Sequence, residues 1–291
     1  MTGWTLGIIG GSGLYDLQGL DGPETVTDTP WGKPSAPVRT GKLAGVPVCF
    51  IPRHGPGHVL SPDAINYRAN IDALKRAGAT DILSLSACGS LREHMAPGDF
   101  VVVDQYVDRT KGRASSFFGP GCVAHVPMAD PVCSRLSSMV ADAGEAAGAR
   151  VHQGGTYLAM EGPQFSTRAE SRLYREWGCD VIGMTNMPEA RLAREAELPY
   201  ASVAMVTDYD SWRAGGEDVD VPSILKVMQA NAAKARKLVE SLAEAMAASP
   251  RTPSPDGIES ILDIAIVTPP AARDTVLMGK LDAVARRVLG A

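Results

Sequence analysis

Two carboxylates one residue apart close an apolar run: Val203-Ala204-Met205-Val206-Thr207 leads into Asp208-Tyr209-Asp210. Residues i and i+2 of a strand share a face, so Asp208 and Asp210 would address one ligand together. Carboxylates held close push one pKa upward, leaving one of them protonated and able to donate near neutral pH. Ligand sites in open α/β sheets gather beyond the carboxyl ends of strands, where this pair would stand. The competing structural reading is a turn cap at Asp208 and a solvated Asp210. The aromatic neighbours Tyr209 and Trp212 tip the balance toward a site.

Other apolar runs also end in groups with chemistry. Thr5–Ile9 runs into Gly10-Gly11-Ser12-Gly13, where successive N–H groups and the Ser12 hydroxyl suit an anion. Val46–Ile51 ends in Pro52-Arg53-His54-Gly55, and a guanidinium fork beside an imidazole suits phosphate. Asp81–Leu85 ends in Ser86-Ala87-Cys88-Gly89, and Val181–Gly183 in Met184-Thr185 just before a helix N-terminus. Alone, each has a plain alternative: a tight turn, a surface Arg with a capping His, a helix cap. Phe165-Ser166 stand at a loop-to-helix entry, where a ring could stack on a base and a hydroxyl bond its edge, or where Phe165 is a hydrophobic staple. Cys88 has no base at a motif spacing and reads as a buried structural thiol.

Strands alternating with helices are needed to bring those ends together. Further strands are expected at 100–104 and 155–160. Helices are expected from Ser61-Pro62 to Gly78, from Asp130-Pro131 to about Gly148, and from the Thr167-x-x-Glu170 capping box to Gly178. Three more follow, from Pro188-Glu189 through Leu198, from Pro222 to about Ala248, and from Ala271 to Leu289. Residues 24–45 read as a polar, turn-rich surface stretch, 108–128 as a loop long enough to cover a site, and Ile261–Val267 as a short strand. The alternation makes this an α/β chain with no second independent core. The domain division expected is 1–248 as the catalytic domain, 249–258 as a Pro/Ser-rich linker, and 259–291 as an extension packed on the domain or on a neighbouring subunit.

Composition narrows the class. An apolar content of 45% with 21% charged residues excludes a disordered chain, and a net charge of −5 gives no electrostatic footprint for nucleic acid or an anionic membrane. Five scattered cysteines without a C-x-x-C pair fit a reduced cytoplasmic protein and argue against a disulfide framework or a structural zinc site. No signal peptide and no membrane span is expected.

Anion donors at several strand ends and carboxylates at another suit phosphate attacking a nucleoside whose base departs. With that chemistry in view, the chain resembles the trimeric purine nucleoside phosphorylase family over about residues 5–246. The motifs that carry the resemblance are Gly7–Leu14, Arg53-His54-Gly55, Ala87–Arg92, Glu161–Ser166, Met184-Thr185 with Pro188-Glu189, and Thr207–Asp210.

The resemblance implies a three-layer fold, a mixed central sheet flanked by helices. It places phosphate on Ser12, Arg53, His54, Ser86, Ala87 and Thr185, and the ribose against Met184. It puts Phe165 and Tyr209 at the base, Asp208 at purine N7 as the catalytic acid, and Asp210 at a 6-amino group. Ser166, Val221 and His125 would set specificity, the last two around an apolar 5′-substituent with help from a neighbouring subunit.

The implied reaction is phosphorolysis of S-methyl-5′-thioadenosine to adenine and 5-methylthioribose 1-phosphate, a salvage step. It would run in a cytoplasmic homotrimer or hexamer, with phosphate as co-substrate and no metal or organic cofactor. Relatives that take 6-oxopurines carry Asn and Glu where Asp208 and Ser166 stand, and a carboxylate at Asp210 favours the amino donor of adenine. The chain departs from the family pattern at Gly183, where Asn is usual, and at Asn186-Met187, where Thr-Val is usual. Rival readings are a 6-oxopurine (methylthioinosine or inosine) phosphorylase, a nucleosidase using water, and a dinucleotide-binding module resting on Gly10-Gly11-Ser12-Gly13 alone.

Overall fold

Strands buried on both faces need apolar side chains in unbroken runs, and the central strands here have them. Ile8, Phe50 and Leu83 pack to one side of the sheet, while their chain neighbours Ile9, Ile51 and Ile82 pack to the other. The computed structural model describes residues 3–14, 17, 19–213 and 221–290, and of 221–223 the backbone alone.

Among them, eleven strands form one mixed sheet. These are β1 (Leu6–Gly10), β2 (Glu24–Thr25), β3 (Val38–Leu43), β4 (Val46–Pro52), β5 (Asp81–Ser90) and β6 (Phe100–Val103). The rest are β7 (Gln105–Asp108), β8 (Val151–Gln153), β9 (Thr156–Ala159), β10 (Val181–Gly183) and β11 (Tyr200–Asp208). The order β2-β3-β4-β1-β5-β10-β9-β7 forms the main path, and β11 pairs with both β5 and β6. The helices are α1 (Tyr67–Arg76), α2 (Ser134–Ala146), α3 (Arg168–Glu176), α4 (Asn186–Glu195), α5 (Val221–Ala248), α6 (Leu262–Ala265), α7 (Thr275–Lys280) and α8 (Arg286–Leu289). α1 and α4 cover one face through residues such as Ile71, Leu74 and Leu192; α2 and α5 cover the other through Leu136, Leu238 and Leu242. This is the mixed sheet between helical layers that the family resemblance implies, and the α/β chain that the alternation of strands and helices predicts.

Boundaries differ where local signals compete. α1 starts at Tyr67 because the Asn66 side chain accepts from the Ala69 N–H at 3.1 Å, while Ser61 is turned onto Asp63. It does close before Gly78, which has φ 92°. α2 starts at Ser134 rather than at Asp130-Pro131, and its first N–H donates to Asp256 Oδ2 at 3.1 Å, a cap 122 residues away in sequence. The Thr167/Glu170 capping box forms as predicted. The stretch 24–45 contains two strands, β2 at the edge of the sheet and β3 beside it, covered by β2 over only two residues, and this peripheral position explains their polar composition. β7 and β8 were too short to announce themselves.

At the C-terminus, the expected strand at 261–267 is α6 with a single bridge, Ile266 to Ala124. The expected helix 271–289 is broken into a 3₁₀ turn at Pro270–Ala272, α7 and α8. The break lets Leu281, Val284 and Ala285 turn into the core of this same chain beside Leu262 and Ala265. The stretch 249–258 is tied down by Arg251 to Asp81 at 2.6 Å and by Trp4 Nε1 to the Ser249 carbonyl at 2.8 Å. Among the described residues no helix is long and apolar enough to cross a membrane.

Candidate active site

β5 changes partners along its length. β1 pairs with its first half, ending at Ile9 opposite Ser84, and β10 joins only at Gly89 opposite Ile182. Residues 85–88 therefore have no ladder on that side, and a cavity of ≈ 270 Å³ opens there. β1, β4, β5 and β11 run parallel and bring their carboxyl ends to it. β10 runs antiparallel to β5 and carries Gly183-Met184-Thr185 back toward Ala87 and Ser86.

Ser12, Arg53, His54, Ser86, Ala87 and Thr185 all line this cavity. Arg53 is held differently from the open fork that the sequence suggests. It is wholly buried and paired with Glu189 through Nε–Oε2 at 2.8 Å and Nη2–Oε1 at 3.0 Å. Nη2 also donates to Ser84 Oγ at 2.7 Å, and Nη1 to the Leu85 carbonyl at 3.1 Å. Of its five N–H groups, four are thus engaged by protein, and one on Nη1 is left to face a ligand. Ser84 and Tyr200 donate to the same Glu189 oxygen at 2.6 and 2.9 Å, which fixes the carboxylate. Gly11 allows this approach, since a Cβ there would lie 2.9 Å from Arg53 Nη1. His54 donates from Nδ1 to the Leu60 carbonyl at 2.9 Å, and burial lowers its pKa to about 4. It is a neutral ring stacked on His58 at 4.1 Å, with Nε2 an acceptor. One fixed cationic N–H, three hydroxyls and backbone N–H groups make an anion cradle.

At the other end stand Asp208 and Asp210. Their convergence comes from a turn rather than from strand alternation. β11 ends at Asp208 after a register shift, and Asp210 lies in a 3₁₀ turn with φ 49°. Its N–H donates to Asp208 Oδ1 at 2.8 Å, which locks the two together. Gly89 leaves room for both, because a Cβ there would lie 3.0 Å from Asp208 Oδ1 and 3.2 Å from Asp210 Cβ.

Burial raises the pKa of Asp208 against hydrogen bonds from Thr207 and the Asp210 N–H. Thr207 Oγ1 lies 3.1 Å from the Cys88 carbonyl and 2.7 Å from Asp208 Oδ2. A hydroxyl has one proton, so when Thr207 donates to Cys88 the second contact needs a proton on Asp208. Burial likewise raises the pKa of Asp210, opposed first by the Ser171 hydroxyl and helped by the Asp208 charge. Asp210 Oδ2 makes no hydrogen bond of ordinary geometry among the described residues; the Ser171 hydroxyl acts on this carboxylate without bonding it, which leaves an acceptor open to a ligand donor.

Phe165, half exposed, and Met184 line the cavity. Three other residues singled out in the sequence do not, and a fourth, Val221, is described by its backbone alone. Tyr209 turns outward, with its hydroxyl at 3.4 Å from the Glu93 carbonyl and its ring 4.4 Å under Arg213. Ser166 Oγ faces Met160 Sδ at 3.5 Å. His125 is exposed on the far strand-like stretch, its N–H on the Ala265 carbonyl. Val221 opens α5, and its side chain lies outside the described residues. Nor does any residue of 108–128 line the cavity. Instead Arg113 of that loop donates to the carbonyls of Glu161 at 2.6 Å and Met184 at 2.6 Å, bracing the site's main chain.

Sequence reasoning missed the Glu189–Ser84–Tyr200 cluster behind Arg53, Thr207 as Asp208's partner, and the apolar wall of Ile224 and Met228 on α5. Glu189 gave no signal, since it lies 136 residues from Arg53 and meets it only through the fold. Ile224 and Met228 carry no signal beyond helical periodicity. Cys88 lines the cavity with its thiol pKa raised by burial and then by Asp208, so it is no thiolate.

Residues 5–244 match the Phosphorylase superfamily. The chain belongs to that superfamily. It is 60% identical over 285 residues to the S-methyl-5′-thioadenosine phosphorylase of Cereibacter sphaeroides, covering 98% of each chain. It is 60% identical over 292 residues to that of Bradyrhizobium diazoefficiens, covering 99% of each. Among solved structures it is similar to a methylthioadenosine phosphorylase from an antarctic soil metagenomic library, with a TM-score of 0.90 and 44% identity over 97% of this chain and 99% of that one. It also resembles the Schistosoma mansoni methylthioadenosine phosphorylase in complex with adenine, with a TM-score of 0.85 and 35% identity over 93% and 99%. The matched region contains every cavity residue named above.

Proposed function

We propose that the chain catalyses phosphorolysis of S-methyl-5′-thioadenosine, giving adenine and 5-methylthioribose 1-phosphate. The observation that carries this reading is the polarity of one cavity: anion donors at one end, and at the other a protonatable Asp208 beside the unpaired Asp210 Oδ2. Full-length relatives named for this activity support it.

In this reading the C1′–N9 bond breaks with its electron pair going to the purine. Asp208 donates a proton to N7, which stabilises the departing base. Asp210 accepts from the 6-amino group, and a 6-oxo group would meet it lone pair to lone pair. Phosphate lies in the Ser12, Arg53, Ser86 and Thr185 cradle, where its negative charge stabilises the oxocarbenium ion before an oxygen bonds C1′. His54, neutral and with its Nε2 lone pair available, accepts a hydrogen bond from the phosphate O–H. Phe165 covers the base, Met184 the ribose, and Ile224 with Met228 offer apolar surface to the 5′-methylthio group. The working enzyme is a homotrimer, in which His125 reaches the 5′ end of a neighbour's site.

The test is release of free base from methylthioadenosine, methylthioinosine and inosine, each with and without phosphate. Phosphate-dependent adenine release with slow 6-oxo substrates is the expected result. Preference for methylthioinosine or inosine would overturn the role given to Asp210, and release that ignores phosphate would make the protein a nucleosidase.

A further inference from the structure

Two hydroxyls at the anion end lack hydrogen-bond partners among the described residues: Ser86 Oγ on β5 and Tyr157 Oη on β9. Ser86 is 3% exposed and Tyr157 wholly buried. Leaving a buried hydroxyl unpaired costs roughly 1–3 kcal/mol, so each calls for an explanation.

Their strands are not neighbours. β10 lies between, paired with β9 on one side and with the end of β5 on the other. Tyr157 stands opposite Val181, and the next residue on that face of β10 is Gly183. A Cβ on Gly183 would overlap Tyr157 Oη and lie 2.6 Å from the ring's Cζ. The phenol therefore crosses under β10 at a position where that strand has no side chain. Its oxygen ends against Gly183, which lines the cavity together with Thr185 and Ser86, while Tyr157 itself does not. Burial raises the phenol's pKa to about 12, and the Thr185 backbone and Ser86 hydroxyl act on it in the other direction.

We propose that Tyr157 is a positioning residue for phosphate: when the anion binds, the phenol O–H closes onto Ser86 Oγ, which directs the Ser86 O–H at a phosphate oxygen in the cavity. The proposal rests on the phosphorylase reading above. The order Tyr157 to Ser86 to anion uses each hydroxyl proton once and leaves neither oxygen unpaired. Each bond in such a chain polarises the next, so the donor facing the anion gains strength from the one behind it. Gly183 is the complement of Tyr157, since any larger residue there would evict the phenol.

Tyr157→Phe keeps the ring that fills the space under Gly183 and removes only the oxygen. Binding of inorganic phosphate and of adenine is measured by titration calorimetry on full-length wild type, Tyr157→Phe, Ser86→Ala and the double variant. Tyr157→Phe is expected to weaken phosphate about five- to tenfold, one neutral hydrogen bond's worth, and to leave adenine affinity within about twofold. In the Ser86→Ala background it is expected to change phosphate affinity no further. Unchanged phosphate affinity, an equal loss in the Ser86→Ala background, or parallel loss of phosphate and adenine would each overturn the proposal. Wild type that binds phosphate yet releases no adenine from the nucleoside overturns the phosphorylase reading alone, and the calorimetry still decides the role of Tyr157. Wild type that binds no phosphate overturns both.

Discussion

In the proposed mechanism the proton that leaves with adenine is held by Asp208, whose Oδ2 lies 2.7 Å from Thr207 Oγ1, itself 3.1 Å from the Cys88 carbonyl. Asp208→Asn keeps the shape and a donor but cannot give up a proton. Adenine release is expected to fall about 10²- to 10⁴-fold while phosphate affinity stays within about threefold, read from single-turnover rates and calorimetry. Near-normal turnover would remove Asp208 as the acid. Arg53 calls for a different experiment from the one its sequence motif suggests. Removing it strands the buried Glu189, so Arg53→Ala should lose about 3–5 kcal/mol of stability in a denaturant titration, beyond any effect on phosphate. Arg53→Lys keeps the charge and is the variant in which a raised phosphate KM can be read. An Arg53→Ala protein as stable as wild type would mean that the ion pair is not structural.

The loops that position these residues carry titrating groups of opposite sign. His54, in the turn after β4, is held at a pKa of about 4, below the ordinary 6.5. As pH falls from 6.5 toward 4, the unfolded chain takes up a proton that the folded one refuses, so this group lowers stability across that window, by no more than about 3 kcal/mol. Glu195, which fixes the 108–128 loop through Ser116 Oγ and the Phe117 N–H at 2.7 Å each, is raised by burial to about 7. Its folded form holds a proton that the unfolded chain has lost, so it lowers stability as pH rises from 4.5 toward 7. The two slopes oppose, and the informative quantity is a difference. Between pH 7 and 5, His54→Gln should lose less stability than wild type in urea titrations. Equal losses would show that His54 is not buried neutral.

For the whole molecule, the C-terminal segment has two faces. Leu281, Val284 and Ala285 enter this chain's core, while Ile264, Val267 and Val276 are 77%, 58% and 68% exposed. An apolar set of that kind beside the exposed His125 suits contact with a second copy of the chain. Sedimentation equilibrium is expected to give three chain masses. His125→Ala should raise the KM for methylthioadenosine severalfold with the phosphate KM unchanged. A monomer with full activity toward methylthioadenosine would exclude a subunit-shared site.

Strand ends with polar cargo were legible because burial on both faces forces continuous apolar runs, so Ser12, Arg53-His54, Ser86, Thr185 and Asp208 stand out where those runs stop. The capping box at Thr167 and the α/β alternation were legible for the same reason: each is a local rule with a local signature. Which way a side chain faces at a strand end is not local. Tyr209 turns outward and Asp210 inward because Asp210 adopts a left-handed φ in a turn that Asp208 caps. Most of Arg53's donors go to Glu189, Ser84 and the Leu85 carbonyl rather than to open space. The short polar strands β2, β7 and β8, the distant cap on α2, and the broken C-terminal helix likewise depend on partners far along the chain. Apolar period and capping chemistry settle which elements exist and where their reactive ends lie. The pairing switch along β5, and the space left by Gly11, Gly89 and Gly183, arise only when distant segments meet, and they decide which of those ends face one cavity.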